Sequence, residues 1–355
     1  MTAGFVAAEA RMGATWRPDT WNRLVCRATW DETHDVRTFL LVPESGAGIA
    51  FDPGQFLTFR MEIDGEIAER CYTLSSSSAT PGAVTITVKW KEAGRFSRYL
   101  YDAVGPGDVI EAFGPSGQFG PITHAADKYL LLSAGSGITP MMSIVRTAAD
   151  YGIDFDACFI NASRTPNDVV FGDVLPLLQR RLPRLRLFFT TSRSGFDWAG
   201  ERGRLDGSML SRLVPDIAER MVLCCGPESF MADMRVAVME RGVTEARYAQ
   251  ESFDFGDVEN FEAPAAGGRL RRVTFAKSGR SFTCAEDATI LAAAKAAGIP
   301  MASSCARGIC GTCKCIKLSG DVAMHHNGGI RQREIDRGFV LPCSSKPLSD
   351  IVLDR

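Results

Sequence analysis

The sequence has no long hydrophobic run. Its most apolar stretches, Tyr129 to Leu132, Met221 to Cys225 and Ile290 to Ile299, are short or broken by Lys, Ser or Gly, well below the roughly 18 residues a membrane-spanning helix needs. A basic start followed by an apolar block and a cleavage site is also missing from the first twenty residues, so a cytoplasmic protein is expected. Excess charge of one sign is missing too: the formal net charge is −2, which removes any whole-molecule electrostatic case for nucleic acid or membrane as partner. No internal repeat is present. Nor do the eleven cysteines suit a disulfide framework, because their number is odd and four share a spacing typical of metal ligation.

What is present is a chain of 355 residues, long enough for two to three ordinary domains. Residues 1–18 carry no periodicity and read as a tail. From Trp21 to about Thr123 the pattern is strand-like, in Arg23 to Thr29, Arg37 to Val42, Gln55 to Ile63, Arg70 to Leu74, Val84 to Trp90 and Val109 to Ala112. Turn formers such as Asp52-Pro53-Gly54 and Gly105-Pro106-Gly107-Asp108 separate these runs, which predicts an antiparallel β-barrel over 19–124. From Lys128 the pattern changes to continuous apolar strands (Tyr129 to Ser133, Ala157 to Asn161, Leu185 to Thr190, Val222 to Cys225, then Arg247 to Gln250) alternating with helical stretches. Such strands belong to a parallel sheet buried on both faces, an α/β nucleotide domain over 125–253. Residues 254–270 read as a linker, acidic first and Ala-, Pro- and Gly-rich at its end. A third unit over 271–355 opens with strands Val273 to Phe275 and Ser281 to Cys284 and a helix from about Ala288 to Ala297.

Cys305, Cys310, Cys313 and Cys343 have the C-x4-C-x2-C spacing with a distant fourth cysteine, the plant-type [2Fe-2S] arrangement. Gly308 and Gly311 allow that loop to turn its N–H groups toward the sulfurs. Zinc more often takes two C-x2-C pairs, and four buried free thiols are the bland alternative. Residues 271–355 resemble a plant-type ferredoxin domain, which implies an α+β β-grasp fold around the cluster.

Gly135-Ser136-Gly137-Ile138-Thr139-Pro140 follows the first parallel strand. Gly135 and Gly137 let backbone approach a pyrophosphate, Thr139 is expected to cap a helix, and Pro140 to be its first residue. Cys225-Gly226-Pro227 ends the fourth strand, where such sheets bind ligands. With both segments in order the chain resembles the ferredoxin-NADP reductase superfamily, which implies that Cys225 lies beside the nicotinamide and that Gly226 and Pro227 shape its pocket. Ser163, Arg164 and Arg193 are further nucleotide contacts on the same likeness, Arg193 at the position where NADPH-specific relatives hold the 2′-phosphate; NADH and NADPH both stay open.

Arg70-Cys71-Tyr72-Thr73 resembles the superfamily's Arg-x-Tyr-[Ser/Thr] flavin signature. Arg70 can pair with a pyrophosphate, Tyr72 offers an aromatic face and a hydroxyl, and the Thr73 hydroxyl can bond near flavin N5. Gly94, Phe96 and Ser97 open a helix whose N–H groups suit phosphate, and Thr87, Val88 and Lys89 resemble the accompanying strand. FAD is favoured and FMN stays open. Glu251 is a candidate proton shuttle and Phe253 a ring to pack on the flavin.

Together these motifs imply NAD(P)H-dependent electron transfer through flavin to [2Fe-2S] and on to an acceptor protein outside the chain. The order of domains, with Asp35-Val36-Arg37-Thr38-Phe39 and Met324-His325-His326, resembles the reductase component of Rieske-type monooxygenases acting on quaternary ammonium compounds, glycine betaine among them, which implies a terminal oxygenase as partner. Hybrid-cluster-protein reductases are similar, and a stand-alone diaphorase or flavin reductase is the other reading. Between Arg271 and Arg355 thirteen Lys or Arg face seven acids, which suggests a basic docking face for an acidic partner with Lys314 and Lys317 in it.

Overall fold

The computed structural model describes residues 4–5, 16–18, 20–92, 94–195, 197–253, 269–299, 301, 303, 306, 308, 313–326, 330 and 332–355. Most of the 1–18 and 254–270 segments, together with Cys305, Cys310 and Gly311, lie outside these residues. By internal contacts the chain divides into two compact units, Met1–Phe253 and Asp254–Arg355.

The first unit begins with a barrel of β1 (Asn22–Thr33), β2 (Val36–Pro43), β3 (Phe56–Ile63), β4 (Glu66–Thr73), β5 (Val84–Lys89) and β6 (Val109–Ser116), with helix α1 (Arg95–Ala103) between the last two. The strands pair in the order β4-β3-β6-β1-β2-β5, all antiparallel, and a bridge from Leu74 to Ile86 joins the two ends. Large apolar side chains on the inner face, among them Leu24, Phe39, Leu41, Leu57, Phe59 and Ile86, are fully buried and fill it. The tail reading of residues 1–18 needs correction at its described positions. Trp16 belongs to the barrel core and its Nε1 donates to the Gly114 carbonyl at 2.6 Å, while Phe5 packs edge-on against Phe155. A large aromatic side chain gains more from burial than a non-periodic stretch suggests.

The parallel sheet follows. It holds β7 (Lys128–Ala134), β8 (Asp156–Ser163), β9 (Leu185–Thr191), the short β10 (Glu201–Arg202), β11 (Met221–Cys225) and β12 (Tyr248–Glu251) in the order β10-β9-β8-β7-β11-β12. Helices α2 (Ile138–Tyr151), α3 (Val174–Arg181), α4 (Gly207–Leu213) and α5 (Glu228–Met239) connect them. Two core clusters, one on each face, account for the unbroken apolar strands. The strand order reverses between β7 and β11, so the ends of these two strands define the crevice where ligands of open α/β sheets bind.

At the opposite end of the same strands, Arg220 is almost wholly buried and donates to Asp216 (2.7 Å), to Asp156 (2.9 Å) and to the Tyr129 carbonyl (3.0 Å). The Arg220 hydrogen bonds, working against partial burial, hold the Asp216 carboxyl at about 2, below its ordinary 3.8. A carboxyl lowered in this way contributes its stabilisation in full above 3.8 and loses it as pH falls toward 2. Asp216→Asn should therefore lower the unfolding free energy by roughly 2 kcal/mol at neutral pH. In urea titrations the gap from the parent protein should narrow as pH drops below the ordinary carboxylate value; a gap that stays constant there contradicts the assignment.

The second unit is a small mixed sheet of β13 (Leu270–Phe275), β14 (Ser281–Ala285), β15 (Cys315–Ser319), β17 (Phe339–Val340) and β19 (Ile351–Leu353) in the order β14-β13-β19-β15-β17. Helix α6 (Ile290–Ala296) packs on it through Ile290, Leu291 and Ala294. A two-stranded ribbon of β16 (Val322–Met324) and β18 (Ser345–Pro347) and a short helix α7 (Gln332–Ile335) complete its described elements. The first hairpin and helix stand where the sequence predicts them; β15 to β19 are short and carry no periodicity long enough to read.

Candidate active site

The residues expected from the sequence to hold cofactors fall into three groups. The first is the end of β4. Tyr72 packs between Phe59 and Phe96, with ring centroids 6.0 and 5.9 Å away, and burial raises the pKa of its hydroxyl, so the phenol stays neutral. Arg70 donates to the Glu69 carbonyl at 2.9 Å. Thr73 is 4% exposed, yet its Oγ1 has no hydrogen-bond partner. A buried hydroxyl in that state costs free energy unless a ligand satisfies it, and this fits a flavin edge at the predicted place.

Next to this strand, Gly94 precedes α1 and no side chain caps the helix. The Ser97 hydroxyl donates to the Gly94 carbonyl at 3.1 Å, which leaves the first-turn N–H groups for an anion. A Cβ on Gly94 would lie 2.4 Å from Ser97 Oγ and 3.0 Å from Lys91 Cβ, so a side chain there would push the Ser97 hydroxyl aside. The other side chains predicted here are engaged inside the protein. Phe96 and Val88 are core residues. The Thr87 hydroxyl bonds Thr38 and Ser75, each at 2.9 Å, and the Lys89 ammonium pairs with Asp35. Val88 and Phe96 thus turn into the barrel core, while Thr87 and Lys89, on the other face of β5, are already bonded to barrel residues.

The second group lies at the strand-order reversal. Helix α2 begins at Ile138, preceded by a tight turn over Gly135–Gly137. Two predictions are corrected here. Pro140 is the third helical residue rather than the first, a position whose missing N–H also costs nothing. Thr139 does not cap: its hydroxyl donates to the Ser136 carbonyl at 3.2 Å. Gly135 has φ +55 with open space around it. Gly137 needs no unusual dihedral but needs room, since a Cβ there would sit 2.3 Å from the Cys225 carbonyl oxygen. The two crossovers thus touch through backbone. Gly226 is less tightly confined, with the Phe230 ring 2.8 Å from where a Cβ would be, and Pro227 leads into α5.

Cys225 is fully buried, paired in register with Ser133 on one side and Glu251 on the other. Burial raises its thiol pKa well above the ordinary value, with the Glu251 charge and Cys224 adding to the effect, so Cys225 stays protonated. Phe253 packs against the adjoining core cluster. Asn161, missed in the sequence because it reads as one polar residue in an apolar strand, is buried and donates to Ser133 Oγ at 2.9 Å while its Oδ1 accepts from Ser163 at 3.1 Å. Ser163 also donates to the Asp168 carbonyl at 3.3 Å, and Arg164 pairs with Asp168 at 3.2 Å and with Asp35 at 3.7 Å. Arg193 is exposed, its backbone N–H donating to the Arg164 carbonyl at 2.7 Å. Ser163, Arg164 and Arg193 therefore share one rim, at the ends of β8 and β9.

The third group is in the second unit. Cys313 and Cys343 are buried, and the Gly308 N–H donates to Cys343 Sγ at 3.3 Å. Gly308 has φ +71, and a Cβ there would be 2.8 Å from Ser344 Oγ and 3.0 Å from His326 Cα. An N–H aimed at a cysteine sulfur from a loop that only glycine can make suits a thiolate carrying a cluster. Of the two lysines assigned to a docking face, Lys314 does not offer a free charge, since its side chain is 8% exposed and pairs with Glu334 at 2.7 Å; Lys317 is partly exposed, its ammonium bonded to the Gly320 carbonyl and 3.8 Å from Asp321. A salt bridge inside the fold uses up charges that a count attributes to the surface.

A barrel that leaves one buried hydroxyl unsatisfied, a parallel sheet with a glycine turn at its switch point, and a glycine N–H aimed at a cysteine sulfur define a class: reductases joining a pyridine nucleotide, a flavin and an iron–sulfur cluster. Comparison with known proteins bears this out. An oxidoreductase FAD-binding domain model matches residues 26–120, an oxidoreductase NAD-binding domain model residues 131–236, and a 2Fe-2S iron-sulfur cluster binding domain model residues 273–348. The chain is 37% identical over 356 residues to the glycine betaine monooxygenase reductase subunit of Chromohalobacter salexigens, covering 96% of each chain. It is 40% identical over 337 residues to the stachydrine N-demethylase reductase subunit of Rhizobium meliloti, covering 93% of this chain and 96% of that one. The structure of phthalate dioxygenase reductase, described as modular for electron transfer from pyridine nucleotides to [2Fe-2S], matches 94% of this chain and 98% of that one with a TM-score of 0.58 and 25% identity. The chain belongs to the family of monooxygenase reductase subunits and is an NAD(P)H oxidoreductase with FAD-, NAD- and [2Fe-2S]-binding domains. Among the described residues no helix is long and apolar enough to cross a membrane.

Proposed function

We propose that this chain supplies electrons to a Rieske-type oxygenase that removes a methyl group from a quaternary ammonium carboxylate, with glycine betaine and stachydrine as the model substrates. The observation that carries the reading is length: relatives named for those two compounds align over 96% and 93% of this chain, through all three domains rather than one. FAD accepts a hydride and gives up its electrons singly, which is what joins a two-electron donor to a one-electron [2Fe-2S] acceptor. In the barrel (residues 19–124) Arg70 pairs with the cofactor pyrophosphate, the Thr73 hydroxyl bonds the flavin edge, and the α1 turn at Gly94 to Ser97 takes phosphate. In the nucleotide domain (125–253) Gly135 to Pro140 cradle the nucleotide, and Ser163, Arg164 and Arg193 line its ribose and phosphate end. Cys225, Gly226 and Pro227 shape the nicotinamide pocket, Glu251 exchanges a proton with solvent, and Phe253 covers the flavin. Past the linker (254–270), Cys305, Cys310, Cys313 and Cys343 in domain 271–355 hold the iron. The setting is the cytoplasm.

The test is reconstitution with a purified candidate oxygenase. NAD(P)H consumption should release formaldehyde from glycine betaine or stachydrine and none from an aromatic acid. NAD(P)H-driven reduction of a hybrid-cluster protein, with no methyl removed from either betaine by any oxygenase tried, would sink the proposal.

A further inference from the structure

We propose that Arg146 is a positioning residue that locks the flavin strand onto helix α2, so that the helix sets the separation across which the nucleotide reduces the flavin. The inference rests on the reading that the first unit carries hydride from NAD(P)H to FAD: a proton and two electrons leave the nicotinamide together, oxidised nucleotide departs, and the flavin is reduced.

Directly after the flavin motif, Ser75 to Ser78 form a strip in which every residue is buried. One face of α2 satisfies it. Arg146 donates to the Ser75 carbonyl at 2.7 Å, the Ser143 hydroxyl donates to the Ser76 carbonyl at 2.9 Å, and Thr147 Oγ1 accepts from the Ser78 N–H at 3.0 Å. Positions 143, 146 and 147 have the i, i+3, i+4 spacing that places side chains on one side of a helix. The Arg146 guanidinium lies over the Phe171 ring, 5.0 Å from its centroid. The acids that act on it are Asp150 on its own helix and Glu32 on the barrel, and Glu32 is itself fixed by Thr38 at 2.7 Å and by Trp30 at 2.8 Å. On the barrel side the Ser75 hydroxyl continues into Thr85 (2.8 Å) and Thr87 (2.9 Å).

The polar layer is therefore bonded throughout, and a buried, satisfied network of this kind fixes one arrangement against others of similar apolar burial. From Arg146 to the start of α2 at the Gly135–Gly137 turn is about 12 Å of rigid helix. Thr73, two residues before Ser75, and the backbone beside Cys225 are thus the two ends of one strut. A shift of about 1 Å between reacting groups is enough to cost on the order of 100-fold in rate.

The experiment compares Arg146→Met, Arg146→Lys and the double variant Ser143→Ala/Thr147→Val in the full chain. The readouts are flavin content, melting temperature, the absorbance change on adding oxidised nucleotide to reduced protein, and flavin reduction by NAD(P)H and its 4-deuterated form under rapid mixing. Arg146→Met should keep its FAD and a near-parental nucleotide KM, while the saturating reduction rate falls about 10-fold or more, the isotope effect rises, and lysine recovers much of the rate. A parental reduction rate in Arg146→Met overturns the proposal. So does a fall that merely tracks lost FAD or melting temperature equally in Met and Lys. Should the Met variant fail to hold FAD, the double variant decides: a slowed rate at full flavin content supports the lock and an unchanged rate overturns it. A parent protein whose flavin NAD(P)H cannot reduce fails earlier, at the functional reading itself.

Discussion

Cys343→Ala is expected to abolish electron delivery to a one-electron protein acceptor while NAD(P)H-driven reduction of ferricyanide by the flavin continues. Cys343 is buried in the second unit, accepts the Gly308 N–H at 3.3 Å and packs in the core cluster that also holds Cys313. Loss of a partner around a metal ligand costs roughly 10- to 100-fold in affinity or activity, and removing the ligand itself should cost more. Iron content measures the first effect, and cytochrome c reduction set against ferricyanide reduction measures the second. Equal activity with both acceptors in the variant would mean that the cluster is incidental and that the stand-alone diaphorase reading is right.

Gly137→Val should stop NAD(P)H oxidation while leaving the cluster in place. The added Cβ would lie 2.3 Å from the Cys225 carbonyl oxygen, 2.4 Å from its carbon and 2.6 Å from the Gly226 nitrogen. All three are backbone atoms, so no side chain can swing away. The α2 turn and the Cys225–Pro227 segment must separate, and misplacement of that order costs about 100-fold or more in hydride transfer. Gly152→Ala, at the far end of α2, is the control. It meets no neighbour and pays only for a positive φ, about 1 kcal/mol, so its turnover should stay close to the parent's. Similar losses in both variants would trace the effect to general damage to α2 and would remove the special role given to the contact with Cys225.

Much of this was legible in residue order because the signals are local. Cys305 to Cys313, Arg70 to Thr73 and Gly135 to Pro140 are contiguous or nearly so, and the last two sit at strand ends that hydrophobic periodicity locates. What periodicity cannot convey is direction. Thr139, read as a cap, donates backward to Ser136, and Phe96 and Val88, read as cofactor contacts, turn into the core, because the neighbouring elements decide which way a side chain faces. Charge counting fails at Lys314 for the same reason, its partner Glu334 lying twenty residues away in sequence and 2.7 Å away in space. Ser143, Arg146 and Thr147 escape notice altogether. On α2 they look like the polar fringe of an amphipathic helix, and only the docking of the barrel's Ser75 to Ser78 strip makes them partners.

The most direct measurement is anaerobic titration of fully loaded protein with NAD(P)H, following flavin absorbance and the electron paramagnetic resonance of the iron–sulfur centre together. Nucleotide should bleach the flavin and then bring up the signal of the reduced cluster. Complete flavin bleaching beside a cluster that remains silent through excess nucleotide would contradict it.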